Sequence, residues 1–68
     1  MKVEIRRIIR ASLGVADDDL HRAKTRFAGT DLSVQWGESG QTKQEILNGY
    51  QDRVILLNQC LAWVEDRL

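Results

Sequence analysis

The apolar residues Leu47, Tyr50, Val54, Leu57, Leu61, Val64 and Leu68 step by three and four residues through the last third of the chain without a miss. A strand would need alternation, so this stretch is a helix, and its seam is the kind that packs along another helix at a shallow angle. Thr42 followed by Glu45 forms a capping box, which places the start of the helix near Thr42. Ile55, Leu56, Ala62 and Trp63 lie beside the seam and Cys60 on its other flank, with Asn58 and Gln59 the only strongly polar side chains between Val54 and Val64. A helix apolar round most of its circumference needs cover on more than one side.

That need meets a short chain. At 68 residues the sequence is expected to form a single domain, residues 1–68, near the lower limit for a core that folds alone. A second copy or another protein is then the expected source of the missing cover, and a homodimer built on the long helix follows. The absence of proline suits a helical protein.

Residues 2–13 carry Val3, Ile5, Ile8, Ile9 and Leu13 at helical spacing, and Gly14 reads as the C′ residue that ends this element. Asp17, Asp18 and Asp19 read as the opening of a second helix, where negative charge is favourable. Leu20, Ala23, Lys24 and Phe27 continue it until Ala28-Gly29 closes it. For residues 30–41 two readings stand: a short helical turn capped by Thr30 and Asp31, which is preferred, or a strand through Leu32, Val34 and Trp36 that turns back at Gly37-Glu38-Ser39-Gly40. The expected fold class is all-α, with two short N-terminal helices packed on one long C-terminal helix in a small bundle.

Chemistry-bearing motifs are scarce. Gly37 to Gln44 invites comparison with the phosphate-binding loop, but Thr42 stands where its second glycine must be and Gln44 where its Ser or Thr must be. A weaker possibility is an anion held by the free N–H groups at the start of the last helix with Lys43. Cys60 and His21 cannot supply four ligands to a structural zinc, and a lone cysteine forms no internal disulfide, which fits a reducing cytoplasm. No catalytic residues, cofactor or metal are expected, and the chain reads as a non-enzyme. Charge balances at ten basic and ten acidic residues, although Lys2, Arg6, Arg7 and Arg10 make the first ten residues basic. Neither a secretory leader nor a membrane span is expected from the apolar pattern.

Arg10 to Ala23 has the apolar spacing of a helix-turn-helix, with Gly14 at the turn. Arg10 is too large for the close contact that motif needs, and the three aspartates would face phosphates, so DNA binding is a minor alternative. Tryptophan often anchors interfaces, and Trp63 with Leu56, Cys60 and Ile55 is the expected partner or oligomer patch. Arg6, Arg7 and Arg10 form a possible basic contact face. Cys60 reads as packed rather than reactive.

From Leu20 through Val64 the pattern L-x-R-A-K-x-x-F-x-G, then W-G-x-S-G-Q-T-x-Q-E-I-L-x-G-Y, then A-W-V, resembles small helical proteins encoded by tailed bacteriophages and prophages. The likeness covers about two thirds of the chain, rests on structural residues, and carries no functional residues across. It implies a phage or prophage product acting in the cytoplasm of a bacterial host. The length and the order of elements also resemble phage head-completion proteins, whose central hairpin is not clear in this sequence. Two functions follow as expectations: a modulator or inhibitor of a host protein, or a connector or completion component of a virion.

Overall fold

The computed structural model describes residues 2–67. Leu68, the last step of the apolar seam, lies outside the described residues. Two helices account for most of the described chain: α1, Lys2–Phe27, and α2, Lys43–Arg67. They form an antiparallel hairpin 44 × 19 × 16 Å in extent, in which Arg6 near the start of α1 meets Glu65 near the end of α2. No strand is present among the described residues.

The all-α expectation therefore holds, but the helix count does not. The expected break at Gly14 does not occur, and the two short helices are one. Ile5, Ile9, Leu13, Ala16, Leu20, Ala23 and Phe27 keep three-to-four spacing straight through the glycine, and every one of them is buried or half-buried. Interrupting the helix would turn one half of that stripe away from α2. A mid-helix glycine costs roughly 1 kcal/mol, whereas burying a single large apolar side chain contributes about 1.5–3 kcal/mol, so packing decides. Asp17 and Asp18 sit mid-helix facing solvent, and Asp19 is half-buried. Without a turn at Gly14 there is no helix-turn-helix.

The seam of α2 packs as its spacing requires. Leu47, Tyr50, Val54, Leu57 and Leu61 are half-buried and Val64 is buried. Among the described residues the buried core is nevertheless thin: Ala16, Leu20, Ala23, Phe27 and Val64, with no large side chain fully enclosed.

Residues 28–42 form neither a helical turn nor a full hairpin. Gly29, with φ of 73°, ends α1 in the left-handed conformation expected of the residue after a helix. Asp31 then accepts from the Ser33 N–H (2.9 Å) and the Ser33 hydroxyl (2.7 Å), which tightens one turn. Beyond it the chain reverses across Gly37-Glu38-Ser39-Gly40, with Gln35 and Thr42 paired as a single antiparallel bridge. Gly37 and Gly40, with φ of 66° and 77°, permit the reversal. The alternative that turned back at these residues was nearer the structure than the helical turn.

Candidate functional site

The loop fixes one end of the hairpin. The Trp36 N–H donates to the Gln41 carbonyl (2.9 Å), and Ser39 Oγ donates to the Trp36 carbonyl (3.0 Å). Trp36 meets Phe27 edge to face, with ring centroids 5.1 Å apart at 69°. Lys43 Nζ lies 5.7 Å from the centre of each of these rings and the Arg26 guanidinium 6.0 Å from that of Trp36. These cations sit within the range of cation–π attraction. Around this corner Asp19, Arg22, Arg26, Trp36 and Tyr50 help to line an open cleft of about 540 Å³.

The capping box is formed. The Glu45 N–H donates to Thr42 Oγ1 (3.1 Å), and the Thr42 N–H donates to Glu45 Oε1 (3.2 Å). The remaining amides of the first turn are also taken, because the Lys43 N–H donates to the Val34 carbonyl, the Gln44 N–H to that of Leu32 and the Ile46 N–H to that of Thr42. Those partners leave no free donors for an anion at this helix start, and Lys43 turns to the aromatic rings. Among the described residues no group of three or more His, Cys, Asp or Glu could hold a metal ion. No described helix is long and apolar enough to cross a membrane.

The expected apolar patch is split. Leu56 and Trp63 are seven residues apart and therefore share a face of α2, and Cys60 lies between them. All three are exposed, at 59% for Leu56 and 53% for Trp63. The expectation that Cys60 is packed fails, since α1 covers only the seam and stops short of this flank. Ile55 is exposed too, but it stands about 100° round the helix from Leu56 and does not join the same surface.

Sequence reasoning missed the half of this surface that α1 supplies. Val15 lies with Ser12 and Ala16 across a shallow groove from Arg53, Leu56 and Leu57. Ile8, seven residues before Val15, shares its face, and both are more than three-fifths exposed. The hairpin register that sets Arg6 by Glu65 and Val15 by Leu56 brings Ile8 level with Trp63. The signal was available as the seven-residue spacing of Ile8 and Val15. It was hidden by the supposed break at Gly14.

The basic face is partly spent inside the fold. Arg6 Nε lies 2.9 Å from Glu65 Oε1 and an Arg10 guanidinium nitrogen 3.8 Å from the same oxygen. The Arg6 N–H is not aimed at that oxygen, so the contact is an ion pair without an aligned hydrogen bond. Arg7 is exposed.

Compared with protein-family models, with curated proteins and with solved structures, the chain matches none.

Proposed function

We propose that this chain is a non-enzymatic protein-binding module, a phage-encoded modulator or inhibitor of a host protein. One observation carries the reading: both tryptophans stand about half exposed, Trp36 at 42% and Trp63 at 53%. Tryptophan has more apolar surface to hide than any other residue, and together with tyrosine and arginine it dominates the energetics of protein contacts. Trp36 adjoins Arg22, Arg26 and Tyr50 in the cleft at the loop end, and Trp63 adjoins Leu56 and Cys60. The phage context rests on the resemblance drawn from Leu20 to Val64.

The test begins with the immobilised chain, a bacterial lysate and mass spectrometry, and continues with titration of the purified captured protein. Trp36→Ala or Trp63→Ala is expected to weaken binding at least about tenfold, the loss of roughly 1.4 kcal/mol or more typical of an anchor residue. Arg6, Arg7 and Arg10 changed together to Glu would locate the contact on the basic face if that variant alone lost binding. Affinity unchanged in all three variants would reject contact by any of these surfaces.

A second reading, a connector or completion component of a virion, draws on the loop. The order helix, turn-back with one antiparallel bridge, helix is closer to the head-completion pattern than the sequence had suggested. A chain that becomes ordered only when assembled on a ring or capsid would favour it over the modulator.

A further inference from the structure

We draw no further inference here: the strongest candidate, the exposed apolar stripe of Ile8 and Val15 on α1 beside Leu56 and Trp63 on α2, carries none because nothing in the structure shows what covers it.

Discussion

The two ends of the hairpin are built differently. At the loop end Phe27 is 4% exposed, Trp36 closes over it, and the first turn of α2 has its amides taken by loop carbonyls and its own cap. Among the described residues of the open end Val64 is the only buried side chain, and the polar cross-link is Glu65 with Arg6 and Arg10. The loop end is closed by its backbone bonds and the Phe27–Trp36 pair, whereas the described residues of the open end hold one buried side chain and an ion pair to a half-exposed carboxylate. Local opening follows the density of buried contacts, so the loop end should be the last region to lose amide protection and the open end the first.

The largest effect should come from breaking the closed end. Phe27→Ala removes a buried ring against which Trp36 packs, and a loss of about 3–5 kcal/mol is expected, enough to unfold a domain of this size. Ile9→Ala, half-buried near the open end, should cost distinctly less. Urea denaturation of both variants measures the difference, and equal costs would mean that the two ends are equally closed. Next in size is the cap: Thr42→Ala leaves the Glu45 N–H without its oxygen and should cost about 1 kcal/mol by the same measurement.

What could be read in advance follows the same division. The capping box, the α2 seam from Leu47 to Val64 and the stop at Gly29 all depend on residues adjacent in sequence, and the structure has each of them. Gly14 and Asp17 to Asp19 misled because their local preferences are real but smaller than the burial of one continuous stripe from Ile5 to Phe27. Residues 30–41 misled for another reason: their shape comes from backbone bonds reaching from Val34 and Leu32 to the start of α2, which no local spacing announces. The surface beside Leu56 was half legible, since its partner residues come from α1 and depend on the register between helices. Gly14→Ala sharpens this point. The glycine has helical φ and nothing within 4 Å of an added Cβ, so the substitution should raise stability by up to about 1 kcal/mol. A break at Gly14 would instead make alanine destabilising.

A smaller effect is expected from Glu65→Gln. The carboxylate is 42% exposed and its ion pairs are partly screened by water, so the change should cost less than about 1 kcal/mol, with faster amide exchange confined to the open end. Exchange accelerated equally at the loop would contradict the division.

The smallest effect belongs to Asp31, and its sign is fixed by its partners. The Ser33 hydroxyl and then the Ser33 amide donate to its carboxylate, with Lys43 adding attraction, and together they hold its pKa below the ordinary aspartate value. The folded state therefore binds the proton less readily than the unfolded chain. This contribution to stability is present above the ordinary aspartate pKa and declines as pH falls through the lowered one. The carboxylate is fully exposed, so the consequence is local: acidification should loosen the turn at Ser33 before it loosens the helices. Chemical shifts of the Asp31 carboxylate and the Ser33 amide, followed together through an acid titration, should move with one midpoint below that of a free aspartate. Asp31→Asn should remove the shared titration while leaving the Phe27–Trp36 contact in place. A midpoint at or above the ordinary value would mean that the loop end is held by its backbone bonds and aromatic pair alone.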